Sequence, residues 1–477
     1  MKEKERKYWD PRIELMSQDE IRILQERRLR RKVEHAYAHS PFYRRKFDEI
    51  GLEPGDIKNL EDISKIPLTN KYDIRDSYAK SIAEGKKPWH EFLTVPEEDV
   101  RTIHASSGTT GIPMTIPYCE HEITQRSFFF QGEFILRQYW AAGLRPGDIV
   151  AHMWNLGGAM IGGANHIIGR GACVPASYHI LLPTHVGRTE KVLQIFKELG
   201  VAAFMATPSY AIYMLDYAKT IDIDVKELKL KAVICGGEPG PVSVPGLRER
   251  LEEGWGVNDK VFDSYGAPGV WLPYECECHT GFHIQADIGI IQVIDPVTKE
   301  ELKPGEYGSV VGTNLYEWEE AMPFIRFDTE DRGCILWDPC PCGRTLPRIG
   351  SVPGRWDDMV KIKGYQLHPN AVEEIIGKTK GCAGEFFIIV DKDEEGKDRL
   401  TIQVEFEPGI QNLEQFQADL QHAIRTKITL KANIEMVSKG TLGRYVMKKQ
   451  RLVDIRTKEA KEKFEQAKKL RGADSFD

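Results

Sequence analysis

The chain has 477 residues, 41% of them hydrophobic and 29% charged, with a formal net charge of −7. This length exceeds what one hydrophobic core usually supports, so a large domain and a smaller one are expected, and the negative balance argues against nucleic acid as a partner. No apolar run reaches membrane-spanning length, the start MKEKERKYWD is too charged for a signal peptide, and nine cysteines in a chain this long suggest no disulfide framework, so a cytoplasmic location is expected.

Ser17 and Glu20 form a capping-box pattern, and Ile21, Leu24, Val33 and Ala36 recur behind them at helical spacing, which predicts an amphipathic N-terminal helix. Its basic run, Arg27, Arg28, Arg30, Arg31 and Lys32, reads as a solvated face. In RTIHASSGTTGIPMTIPY, residues 101–118, two β-favouring runs flank Ser106, Ser107, Gly108, Thr109, Thr110 and Gly111. A turn of this composition exposes backbone N–H groups and hydroxyls together, as a triphosphate requires, although an unliganded hairpin has the same composition. No Gly-Lys-Ser/Thr follows at the required spacing, so the loop is not a Walker A motif.

Between about 125 and 265, helical periodicity alternates with short apolar runs. Strands are expected at 148–153, 171–176, 201–206 and 231–235, and a helix at 189–199 with Gly200 as its stop. That alternation implies βαβ units and a largely parallel sheet, whose ligands gather where strands end. The loops at those ends are Thr207-Pro208-Ser209-Tyr210, Gly236-Gly237-Glu238-Pro239 and Asp263-Ser264-Tyr265-Gly266.

Two later segments, YECECHTGFHI (274–284) and WDPCPCGRT (337–345), concentrate thiols and a histidine. Thiolate and imidazole are the ligands that structural zinc prefers, and a closed site needs four. Cys276, His283, Cys340 and Cys342 supply four, with Cys278 and His279 as substitutes; buried reduced cysteines are the plainer alternative. Beyond residue 355 the pattern becomes that of a small α+β domain, with strands at 386–391 and 400–407, a helix near 412–428 and a last strand near Ile434.

SSGTTG followed by Pro113, with the three loops in order, resembles the phosphate and adenine signatures of the adenylate-forming enzymes. Tyr8-Trp9 and the stretches SPFYRRKFDEIGL (40–52) and PLTNKYDIRDSY (67–78) resemble the opening of phenylacetate-CoA ligases. The resemblance runs from about residue 8 to residue 455 and implies an α/β fold: a large N-terminal domain of mixed and parallel sheets with helices, 1–354, and a small mobile α+β domain, 355–477. It further implies an AMP-forming acid–CoA ligase that uses ATP, Mg²⁺ and coenzyme A on a small carboxylic acid, either an arylacetate or a short branched hydroxy acid of the 2-hydroxyisobutyrate kind.

By the same resemblance, residues 106–111, 237–239 and 263–266 contact ATP, Asp331 in PFIRFDTEDRG grips the ribose hydroxyls, and Arg355 reaches ribose or phosphate. Asp357 becomes the hinge, Lys363, Gly364 and Tyr365 the pantetheine loop, and Lys448 in GTLGRYVMKKQRLVD the catalytic lysine. Trp154, Gly157, Gly158, Tyr210 and Trp271 are expected to wall the acid pocket. Two departures stand out: Ile112 replaces a usual lysine, and Tyr265-Gly266 is followed by Ala267-Pro268-Gly269 without the usual Mg²⁺-binding glutamate, which leaves Glu238 or Glu275 for the ion. Transfer of AMP to a non-CoA acceptor and a catalytically silent zinc-stabilised binding protein remain the rival readings, and a homodimer is an open assembly.

Overall fold

Ser17 starts the helix Gln18–His39 as its spacing predicts: Ser17 Oγ accepts from Glu20 N at 3.3 Å, and Glu20 Oε2 accepts from Ser17 N at 2.9 Å. Such a cap contributes about 1 kcal/mol. The basic run divides, however. Arg27, Arg30 and Arg31 are exposed, whereas Arg28 and Lys32 are buried with Leu29, Val33 and Ala36 in one wide stripe. Arg28 donates to the Asp287 carbonyl and Lys32 pairs with Glu320, so two of the five residues of the expected solvated face are internal.

The computed structural model describes residues 6–105, 114–119, 122, 135–153, 177–181, 188–315, 320–356, 360–362, 365–367, 369–393, 395–428, 430–442, 451–458, 460–462 and 464. The chain divides into two units, residues 1–243 with 248–352, and residues 244–247 with 353–477. In the first unit five parallel strands lie in the order Ser177–Leu181, Asp148–His152, Ala203–Ala206, Ala232–Cys235, Val261–Phe262. The two four-residue strands are buried at every position, as a parallel sheet covered on both faces requires. Phe204, Ile234 and Phe262 are fully buried, each worth about 1.5–3 kcal/mol of apolar transfer. Thr189–Leu199 and Pro208–Thr220 are the crossover helices, the first closed by Gly200 in the left-handed region at φ 62°. The strand expected at 171–176 lies outside the described residues; the observed one is Ser177–Leu181.

Antiparallel strands complete this unit. Gly289–Ile294, Gly308–Asn314 and Phe327–Gly333 form one run, and Ile335–Leu336, Arg348–Ile349, Phe282–His283 and Tyr274–Glu275 form a small sheet. Val100–Ala105 pairs with Thr115–Cys119, so the stretch 106–113 is carried between two antiparallel strands.

The second unit holds a two-stranded pair, Val360–Ile362 with Tyr365–Leu367, and a four-stranded sheet in the order Asn433–Ser438, Asp398–Phe406, Cys382–Lys392, Leu452–Asp454, with helices Pro369–Lys378 and Leu413–Ile428. Its core includes Ile388, Val390, Ile402, Leu420 and Ile424. The expected strands and helix are all present, and Leu452–Asp454 adds a parallel partner that its three residues did not reveal in the sequence. Among the described residues no helix is long and apolar enough to cross a membrane.

Candidate active site and metal centre

The ends of three adjacent parallel strands bring the predicted loops together. After Ala203–Ala206, Thr207 caps the helix Pro208–Thr220 by accepting from Tyr210 N, and Ser209 donates from N and Oγ to the Glu238 carboxylate at 3.2 and 2.8 Å. Glu238 itself follows Ala232–Cys235, beside Gly237 and Pro239, and is half-buried. Ser264 Oγ donates to the Cys235 carbonyl at 2.7 Å, which ties the third loop to the second strand.

Asp263 is the most enclosed of these residues. Its carboxylate accepts from Val242 N at 3.2 Å and from Ser264 N at 2.9 Å. Gly240 makes room for it, since a Cβ there would stand 2.3 Å from an Asp263 oxygen. Burial, reinforced by the nearby charge of Glu275, pushes the Asp263 carboxyl up to about 8. In the same loop Tyr265 donates from its hydroxyl to Asp331 Oδ2 at 2.6 Å, while Asp331 N donates to Thr329 Oγ1 at 3.0 Å. The residues expected at adenine and ribose are thus joined directly, across 66 positions of sequence.

Other expected residues distribute differently. Tyr210 is buried beside Tyr213, their rings 5.8 Å apart, and Trp271 packs against two separate core clusters. Arg355 lies half-buried on Gly354–Arg355 and Tyr365 opens Tyr365–Leu367, both in the second unit. Residues 106–111, with Trp154, Gly157, Gly158, Asp357, Lys363, Gly364 and Lys448, lie outside the described residues. Of the two acids left for Mg²⁺, Glu275 is fully buried with one oxygen on Arg248 Nη2 at 2.6 Å and the other on Asp263 N at 2.9 Å.

The four proposed zinc ligands converge. Cys276, His283, Cys340 and Cys342 are all buried, and their ligand atoms lie within 4.8 Å of one another. Cys276 and Cys340 sulfurs are 3.6 Å apart, and Cys342 Sγ is 3.4 Å from His283 Nε2. A tetrahedral ion with Zn–S near 2.3 Å and Zn–N near 2.0–2.1 Å would set these edges at about 3.8 and about 3.6 Å, whereas a disulfide would hold its sulfurs at about 2.05 Å. The donor set fits zinc.

His283 Nδ1 lies 3.3 Å from the Leu346 carbonyl, which aims Nε2 at the sulfurs. Burial opposes a charge on His283, but the Cys340 and Cys342 sulfurs outweigh it and raise the imidazole. Donation from Cys276 and Cys342 holds Cys340 below the ordinary thiol range, and Cys276 is raised in turn. Cys278 is half-exposed, and His279 faces Asp259 and Arg248, so neither substitute joins the cluster.

Sequence reasoning missed the charges that brace this centre. Arg344 Nε donates to Glu14 Oε2 at 2.6 Å with both side chains fully buried, and Tyr8 Oη donates to the Cys342 carbonyl at 2.8 Å. The Tyr8-Trp9 segment is thereby fastened over the second cysteine loop. Arg137 grips Asp287 with two bonds of 2.8 Å. Nothing short-range announces such pairs, because their members stand 330 and 150 positions apart.

Residues 364–456 match the family model described as AMP-binding enzyme C-terminal domain. The chain is 35% identical over 459 residues to a phenylacetate-coenzyme A ligase of Aromatoleum evansii, covering 94% of this chain and 97% of the relative. It is 33% identical over 451 residues to the phenylacetate-coenzyme A ligase of Thermus thermophilus, covering 91% and 95%. Among solved structures, 2-hydroxyisobutyryl-CoA ligase in the postadenylation state with 2-HIB-AMP matches with a TM-score of 0.83 at 28% identity, over 97% of this chain and 95% of that one. With this extent of likeness, and with the loops at three strand ends arranged in the family's order, the chain belongs to the phenylacetate-CoA ligase branch of the adenylate-forming enzymes.

Proposed function

We propose that this protein is an ATP-dependent, AMP-forming ligase that joins a small carboxylic acid to coenzyme A. The Tyr265–Asp331 bond at the strand ends carries the reading, because it unites the two side chains that the family uses on adenine and ribose. In the first step the substrate carboxylate oxygen attacks the α-phosphorus of ATP, the P–O bond to the β-phosphate breaks, and pyrophosphate leaves. Residues 106–111 and Lys448 donate to the phosphate oxygens, where negative charge grows. In the second step the CoA thiolate attacks the acyl carbonyl and AMP departs with the electron pair of the mixed anhydride.

The unit that contains 353–477 turns about Asp357 between the steps, withdrawing Lys448 and bringing Lys363, Gly364 and Tyr365 to the pantetheine arm. Arg355 supports ribose or phosphate. Mg²⁺ would supply charge neutralisation at the phosphates, and Glu238, half-buried at a strand end, would hold it, since Glu275 is fully buried and paired with Arg248. Zinc, on Cys276, His283, Cys340 and Cys342, is structural: four protein ligands leave no position for substrate.

For the acid we retain an arylacetate, on which the named relatives act, and a short branched hydroxy acid, on which the named structural neighbour acts. Exchange of pyrophosphate into ATP across a panel of both classes tests the first step and selects the acid. CoA-dependent release of AMP tests the second; AMP transfer without CoA would replace the ligase reading with adenylyl transfer to another acceptor.

A further inference from the structure

The strand Val261–Phe262 is two residues long and pairs with Val233 and Ile234 only. The chain then leaves the parallel ladder as residues 263–265, and the polar backbone groups of that buried turn need partners elsewhere. Glu275 supplies them. Its N donates to the Asp263 carbonyl at 3.1 Å, and its side-chain Oε2 accepts from Asp263 N at 2.9 Å, so one residue satisfies both backbone groups of Asp263. Ser264 bridges to Tyr274 and Tyr265 N donates to the Pro273 carbonyl at 3.0 Å, which continues the seam up to the tyrosine that meets Asp331.

A carboxylate this deeply buried requires a counter-charge. Arg248 provides it, with Nη2 on Glu275 Oε1 at 2.6 Å, and Nη1 donating to the Val261 carbonyl beside His279 Nδ1. His279 closes the network, with Nδ1 3.1 Å from Glu275 Oε1 and Nε2 3.2 Å from Asp259. The network therefore touches the end of the short strand, the turn after it and, through Cys276 next in sequence, the metal centre.

We infer that Glu275 is a positioning residue for the nucleotide site, its side chain holding Asp263 so that Tyr265 is presented to Asp331. The inference rests on the ligase reading. It assigns the residue a role in nucleotide binding, where the sequence had offered it to Mg²⁺.

Glu275→Ala removes the acceptor of the Asp263 N–H, whereas Glu275→Gln keeps a carbonyl oxygen for it and gives up the charge and the second oxygen, the one that accepts from Arg248. Losing one buried acceptor should raise the ATP KM and the AMP Kd of Glu275→Ala about tenfold, with the acid KM within about twofold and the metal content unchanged. Glu275→Gln should recover most of the affinity. If Glu275→Ala fails to fold because Arg248 is left uncompensated, the Arg248→Met/Glu275→Ala protein removes both charges and should show the same nucleotide-specific rise. Unshifted nucleotide binding, a parallel rise for acid and ATP, loss of the metal, or a Gln protein as impaired as the Ala protein would each overturn the inference. Wild-type exchange is run alongside: absence of exchange there with every acid overturns the ligase reading itself, and normal exchange confines any failure to Glu275.

Discussion

Tyr265 and Asp331 meet in a 2.6 Å hydrogen bond between a loop at the end of the parallel sheet and an antiparallel strand of the same unit. Asp331 can accept from the tyrosine and still offer lone pairs to ribose hydroxyls, since a carboxylate has about four acceptor positions. The tyrosine therefore orients the carboxylate.

Asp331→Ala should weaken ATP binding by roughly 1.5–3 kcal/mol, the usual worth of hydrogen bonds to a charged group. Tyr265→Phe keeps the ring and removes one bond, so about 1 kcal/mol is expected. ATP KM and AMP Kd for both proteins check this ordering; a Tyr265→Phe defect equal to that of Asp331→Ala would mean that the hydroxyl has a second task.

Protein purified without added metal should contain about one zinc per chain. Cys340→Ser should lower that stoichiometry and the melting temperature together, because Cys340 belongs to the loop on which Tyr8 and Glu14 close. Full occupancy by zinc with Cys340 absent, or a native protein whose four ligands titrate freely as thiols and imidazole, would eliminate the centre.

How the sequence exposed some of this and hid the rest follows from range. Strands such as Ala232–Cys235 and the stop at Gly200 are local, set by apolar runs and by one left-handed residue. The cluster of Cys276, His283, Cys340 and Cys342 was legible because thiols rarely gather without cause. By contrast Lys32, Arg344 and Glu275 carry the charge of surface residues, and only the tertiary partner of each explains its burial. Leu452–Asp454 escaped notice because three residues flanked by Arg451 and Ile455 have no period to read.

Glu91 gives the fold an acid-sensitive point. Burial opposes its ionisation, but donation from Arg45, Lys80 and Ser77 prevails and holds the carboxyl at about 2. A depressed carboxylate contributes stability that is complete above its unfolded pKa, near 4.3, and is lost as pH falls toward about 2. Urea unfolding of wild type and Glu91→Gln should show the larger gap at pH 7 and a smaller one at pH 3. A gap that widens on acidification would reverse the assigned sign.

The assignment of Lys448 has the sharpest test, because the two half-reactions ask different things of it. If the lysine serves only while adenylate forms, Lys448→Ala should depress pyrophosphate exchange severely and leave thioester formation from supplied acyl-adenylate plus CoA largely intact. The reason is electrostatic: an ammonium beside the reacting phosphate is worth several kcal/mol, about 2.7–4 for one preorganised donor, and contributes nothing once the domain has carried it into solvent. Gly364→Trp should do the opposite, obstructing the pantetheine path while sparing adenylation. Lys449→Ala controls for the neighbouring lysine in the same motif. Equal loss of both steps in Lys448→Ala, or loss of adenylation in Lys449→Ala instead, would show that the lysine does not alternate between two arrangements as proposed.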